Sequence, residues 1–289
     1  MSEWYKRAHE TVQKKVICEM EFGQIAQIED EAILTYELIQ RGLLARSRKC
    51  KNRRKHEYDV DMQLSFNHKR WRCSDCSNNY SVKTKSFFEQ SNVDLLSWIK
   101  VIDLWSQEEK VKDIANNVPP SRTTVIEMIK GLREQCQAFL ETNPPAIGGP
   151  GRHLRIDILK VCERDLCDIL IIKEQGRERG YLLHNTGGRY NNPEGRILPV
   201  LPGSTVFSTE QYNLPANVAF SGDVALYQGD AEPERHAKEW IRKKYGIQCS
   251  KVGGYLGEYN FRFFQPQPVH FGERFIVSLG RHYEGEFLQ

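Results

Sequence analysis

The chain has 289 residues, 39% of them hydrophobic and 10% aromatic, enough apolar side chain for two or three packed cores and too much for a disordered tail. No apolar run approaches the about 18 residues a membrane helix needs, and the opening MSEWYKRAHETVQKK is charged where a secretory signal would be apolar. Eight cysteines at irregular spacing fit buried thiols or metal ligands better than a disulfide framework, so a reducing compartment and no membrane partner are expected.

In chain order, residues 1–45 read as a helical lead-in, with Ile33, Leu34, Leu38 and Leu43 at helical spacing and Gly42 near the expected C-terminal end. The net charge of +3 hides a basic stretch that follows. Between Arg41 and Arg72 eleven lysines and arginines face three acids, a local excess of eight (11 − 3) that suits a phosphate backbone. Within it Tyr58, Val60, Met62, Leu64 and Phe66 alternate with polar residues, the period of a strand with one buried face. A turn at 67–69 and a return through Arg70, Trp71 and Arg72 complete a hairpin, so residues 46–90 form a basic, zinc-ribbon-like unit.

Cys73 and Cys76 have the spacing of a zinc knuckle, and Cys50 lies upstream where a ribbon places its other ligand pair. Arg53 stands where a fourth cysteine belongs. His56 or His68 could complete a three-cysteine, one-histidine set, and His56, on the same side of the strand as Cys50, is the better placed. The alternative is a ribbon without metal, held by its apolar face.

Residues 91–143 predict three helices. Leu95, Trp98, Ile99, Ile102 and Trp105 mark the first, a short one spans 111–118, and Ser121 caps a third with a buried stripe of Val125, Ile129, Leu132, Cys136 and Phe139. Arg122, Thr123, Lys130 and Arg133 are read on its opposite side. Two helices joined by a tight turn, the second starting with short polar and basic residues, are helix-turn-helix grammar. The Pro- and Gly-rich segment 143–151 marks a domain boundary. Strand-like runs at 154–159, 169–173, 181–184 and 205–208, then helix from about 232, predict a mixed α/β domain over 152–289.

Three segments, RWRCSDCSNNYSVKTKSFFEQSNVDLLSWIKVIDLW, IGGPGRHLRIDI and ILPVLPGSTVFS, resemble the transposases of Merlin-type DNA transposons and their bacterial insertion-sequence relatives, over about residues 28–264. The resemblance implies a multidomain α+β protein: a zinc ribbon and helix-turn-helix that grip DNA, then an RNase H-like domain that cuts and joins it with two metal ions held by three acids. Asp157 stands at the first acid position, but the second is Thr209 and the third is Ala231. Glu210, Glu232 and Glu234 are near those positions without occupying them, and Arg155 beside Asp157 competes with a cation for its charge.

With one of three acids in place, no magnesium site is expected, and the chain reads as a domesticated transposase retaining double-stranded DNA binding. Arg46, Arg48, Lys49, Lys51, Arg53, Arg54, Lys55, Arg70 and Arg72 are the expected phosphate contacts, and Arg122, Thr123 and Thr124 the expected base contacts. The alternatives are an active two-metal transposase with shifted acids and a protein-interaction scaffold. A nuclear location follows if the host is eukaryotic, and homo-oligomerisation stays open.

Overall fold

The computed structural model describes residues 20–52, 54–162, 167–177, 179–186, 196–198, 200–208, 218–220, 225–228, 235–243, 251–264 and 271–287. A one-turn helix, α1 (Phe22–Ile25), leads into α2 (Glu31–Gln40), whose start is fixed by Asp30 accepting from the Ala32 and Ile33 backbone N–H groups. Gly42 ends α2 in the left-handed region at φ 72°; its N–H reaches the Ile39 carbonyl and that of Leu43 the Leu38 carbonyl, the paired bonds of a Schellman turn. Leu34, Leu38 and Leu43 are buried as their spacing predicts, whereas Ile33 faces outward.

The run expected as one strand over 58–66 is two. After β1 (Lys49–Cys50), β2 (Val60–Asp61) pairs back with β1, while β3 (Gln63–Ser65) joins β4 (Arg70–Arg72) and β5 (Asn79–Ser81) in a three-stranded antiparallel sheet. Met62, between them, donates its N–H to the Arg48 carbonyl, so the chain passes from one sheet to the next without losing its period of two. The expected turn stands at Lys69, φ 52°. Past β5, Phe87 and Phe88 meet Trp98 edge-on at 5.1 and 5.8 Å, and Lys83 Nζ donates to the Ser91 and Val93 carbonyls.

Helices α3 (Leu95–Ser106), α4 (Val111–Asn117) and α5 (Arg122–Thr142) follow with short turns between them. Leu95, Trp98, Ile99, Ile102 and Trp105 are buried on α3, and Asp94 caps it by accepting from the Ser97 N–H. Val125, Ile129, Leu132 and Cys136 are buried on α5 as predicted, and Phe139, the last of the predicted stripe, is half-buried.

Beyond α5, β6 (Ile147–Gly148) precedes β7 (His153–Cys162), β8 (Cys167–Glu174) and β9 (Tyr181–Thr186), an antiparallel meander. After β10 (Arg196–Leu198) and β11 (Val200–Leu201), β12 (Thr205–Ser208) runs parallel beside β7. The short β13 (Val218–Phe220) pairs with β10, and β14 (Ala225–Gln228) runs parallel beside β12. The sheet order is β14-β12-β7-β8-β9. One face carries Leu154, Ile156, Leu170, Ile172 and Val206. The other packs Ile169, Ile171 and Leu182 against α6 (Arg235–Lys243) and α7 (Val252–Tyr259), through Ala237, Trp240, Ile241, Val252 and Leu256. The described chain closes with α8 (Phe271–Phe287).

Residues 1–128 and 269–289 form one unit and residues 129–268 another, so the division falls inside α5 and not at the Pro- and Gly-rich segment. The second half of α5 is tied into its unit by Arg133 on Glu258 and by Phe139 edge-on to Phe261 at 5.4 Å. The last helix, expected with the α/β domain, belongs to the first unit: Phe271 and Phe275 meet Trp105 at 5.0 and 5.2 Å, and Glu273 pairs with Arg41 at 2.6 Å.

Glu258 is 2% exposed and lies between Arg133 at 2.7 Å and Arg262 at 2.9 Å; the Arg133 guanidinium also covers the Tyr255 ring at 4.0 Å. Gly257 admits this close packing, since a Cβ there would meet the Gln137 backbone at 2.8 Å. Removing the carboxylate leaves two guanidiniums without their shared partner. Glu258→Ala is therefore expected to destabilise this unit by roughly 3–5 kcal/mol, read from its urea transition; a loss under about 1 kcal/mol, typical of a surface pair, would contradict the buried-clamp role.

Candidate metal centre

Four side chains converge in the ribbon. Cys50 ends β1, Cys73 follows β4, and Cys76 sits in the loop between β4 and β5, closed by the Cys73 N–H donating to the Asn78 carbonyl at 2.9 Å. A tight turn, in which Lys55 and His56 both donate to the Asn52 carbonyl, brings His56 back toward Cys50. The ligand atoms of Cys50, His56, Cys73 and Cys76 all lie within 4.8 Å of one another. His56, not His68, completes the set.

Cys50 Sγ and Cys76 Sγ are 3.6 Å apart, and Cys73 Sγ is 3.5 Å from His56 Nε2. A tetrahedral ion with bonds of about 2.3 Å to sulfur and about 2.0–2.1 Å to nitrogen has edges of about 3.8 and 3.5 Å. The four donors therefore fit an ion such as zinc. Asn52 Nδ2 points at Cys76 Sγ (3.9 Å) and Asn78 Nδ2 at Cys50 Sγ (4.0 Å), amide dipoles placed to support thiolate charge. Burial pushes the Cys50 thiol up, against the Asn52 backbone N–H. Burial acts the same way on Cys76, but the Asn78 N–H and the side chains of Cys50, Cys73 and Asn52 outweigh it and bring that thiol down. Beneath the cluster lie Met62 and Trp71, with Val60, Leu64 and Tyr80 against them. The two asparagines were not anticipated, although each stands two residues past a cysteine, in Cys50-Lys51-Asn52 and Cys76-Ser77-Asn78.

The period of two sorts the ribbon's cations. Trp71 faces the apolar cluster, so Arg70 and Arg72 face solvent, beside Ser65 and Ser81 in one rung and Gln63 and Asn79 in the next. Among the described residues neither arginine has a hydrogen-bond or ion-pair partner. Lys49, Lys51, Arg54 and Lys55 are exposed, as is Arg46, which donates to the Gln40 carbonyl at 3.0 Å. Arg53 lies outside the described residues. Arg48 departs from the expected phosphate contact: it lies over the Tyr80 ring at 4.4 Å, donates to the Thr84 carbonyl, and burial lowers its pKa against Tyr80 and Glu89.

On α5, Arg122 and Thr123 are exposed. Thr124 is half-buried and occupied with capping, its N–H donating to Ser121 Oγ at 3.2 Å and its hydroxyl meeting the same oxygen at 2.9 Å. Arg133, read from sequence as outward-facing, is half-buried and belongs to the Glu258 clamp.

Asp157 is 8% exposed, on the β7 face that packs against α6. Lys238 of α6 donates to its Oδ2 at 2.9 Å. Arg152, just before β7, lies 3.6 Å from Glu174. Lys238 was missed because a helix-to-strand ion pair has no sequence spacing. Thr209 and Ala231, and Glu210, Glu232 and Glu234 near them, lie outside the described residues. No described helix is long and apolar enough to cross a membrane.

No family model matches the chain, and no curated protein matches it.

The centre is expected to hold one ion per chain, measured by elemental analysis of purified protein. Cys73→Ser should lose it, and His56→Cys, which keeps four donors, should retain it. Equal metal content in wild type and Cys73→Ser would contradict the four-residue assignment.

Proposed function

We propose that the chain is a transposase-derived, double-stranded DNA-binding protein, with a zinc-centred ribbon, a helix-turn-helix and an RNase H-like domain that no longer cleaves. The observation that carries DNA binding is the outer face of the ribbon. It presents exposed arginines and polar side chains on a sheet whose other face closes over the ligand cluster. Guanidiniums without intramolecular partners retain their full capacity for phosphate oxygens.

The segment 118–121 joins α4 to α5, and Arg122 and Thr123 open the longer helix, which agrees with a recognition helix whose first residues meet base edges. A meander of three antiparallel strands, extended by two parallel strands beside its first, agrees with the RNase H-like reading. The Lys238 ammonium on Asp157 supports the non-catalytic reading, since a divalent cation there would compete with a built-in positive charge. Nuclear location belongs to the same proposal for a eukaryotic host.

Binding of the full chain to a labelled duplex over a salt series tests this. The affinity should fall steeply with salt, and Arg70→Gln and Arg72→Gln should each reduce the log–log slope by about 1, whatever the DNA sequence. Affinity indifferent to salt and to both substitutions would overturn the reading.

A further inference from the structure

Arg155, beside the first acid position, has no role in the function proposed above. On the β7 face that meets α6, two rungs of the sheet differ in character. In the rung through Asp157, the neighbours are Ile171 and Leu182, which pack against Ala237, Trp240 and Ile241. In the adjacent rung, Phe207, Arg155 and Lys173 stand side by side, with Arg155 and Lys173 half-exposed. His153, two residues earlier on the same face, stacks obliquely on Phe207 at 5.7 Å.

Lys238 reaches the same region from above. Asp157 takes one of the three N–H donors of its ammonium, and its side chain keeps 22% exposure. Among the described residues Arg155, which has no hydrogen-bond or ion-pair partner, and the Lys238 ammonium stand on this face beside Asp157, with Lys173 next to Arg155 in its rung. A cation-binding corner would show the opposite balance.

We infer that this face binds the phosphate backbone of a nucleic-acid strand without a divalent ion. The Arg155 guanidinium and the remaining Lys238 N–H groups donate to phosphate oxygens, and Lys173 adds charge. Asp157 acts as a positioning residue that holds Lys238 in place. A planar guanidinium beside a compact ammonium offers donors to two oxygens of one phosphate or to successive phosphates. The choice of nucleic acid as ligand rests on the DNA-binding reading; the residues themselves are separate from the ribbon and from α4 and α5.

The test uses metal-loaded full-length protein and a labelled duplex, with and without added magnesium, for wild type, the double variant Arg155→Gln/Lys173→Gln, and Asp157→Asn. Thermal melting checks that each variant folds; the first alters only half-exposed side chains. The expected result is tight wild-type binding without magnesium and a loss of about tenfold in affinity for the double variant. That variant's salt slope should be shallower by about 1–2. Asp157→Asn should bind at least as well as wild type, because Lys238 is then uncompensated.

An unchanged affinity and slope in the double variant would overturn the inference while leaving the ribbon reading intact. A requirement for magnesium that Asp157→Asn abolishes would also overturn it, and would restore a metal site. Competition by inorganic polyphosphate as strong as by duplex, per phosphate, would overturn the choice of nucleic acid. Wild-type protein with no affinity for the duplex would instead sink the DNA-binding reading itself.

Discussion

The ribbon depends on the convergence of Cys50, His56, Cys73 and Cys76. Its strands are two or three residues long, and its apolar cluster is small. Ordering a residue costs about 1–2 kcal/mol of backbone entropy, so such short ladders gain little margin from hydrogen bonds and burial alone. Four ligands drawn from β1, the following loop, the end of β4 and the next loop close the unit at one point. The binding energy of an ion there is folding energy for the whole ribbon. The orientation of Arg70 and Arg72 follows from it, because Trp71 can point inward only if the cluster it packs on is formed.

The two units handle charge differently. In the ribbon, Arg70 and Arg72 stand on the solvent face of the three-stranded sheet and the cluster beneath is left to thiols and an imidazole. In the second unit charges are internal: Glu258 between two arginines, and Asp157 beneath Lys238. Buried pairs of this kind cost desolvation and add little net stability, but they penalise any arrangement that separates the partners. Lys238 also changes what Asp157 can do. A carboxylate that in a two-metal site would face divalent cations here accepts from the Lys238 ammonium, a fixed positive charge that a cation would have to displace.

Much of this was legible in the sequence because local patterns report local structure. Gly42, Ser121 and the alternation from Val60 to Leu64 each act within a few residues, and each does what its type predicts. The cysteine spacing and the preference for His56 over His68 led to the cluster. The failures share a cause: they depend on distant partners. Arg48 looked like one more cation in a basic run until Tyr80 took its guanidinium. Arg133 looked exposed until Glu258 was opposite it. Helix α8 looked continuous with the preceding domain, but Trp105 and Arg41 claim it. The strand over 58–66 divides at Met62 because Arg48 and Arg72 belong to different ladders, which alternation alone does not report.

The most direct test of the account is duplex affinity before and after removal of the ion, followed by zinc add-back, with full-length protein at constant salt. Coupling of ribbon folding to metal predicts that chelation weakens binding by at least about tenfold, that zinc restores it, and that Cys73→Ser remains at the chelated level with or without zinc. Affinity unchanged by chelation, in protein shown to have lost its ion, would contradict the claim that the metal-centred ribbon presents the DNA-binding face.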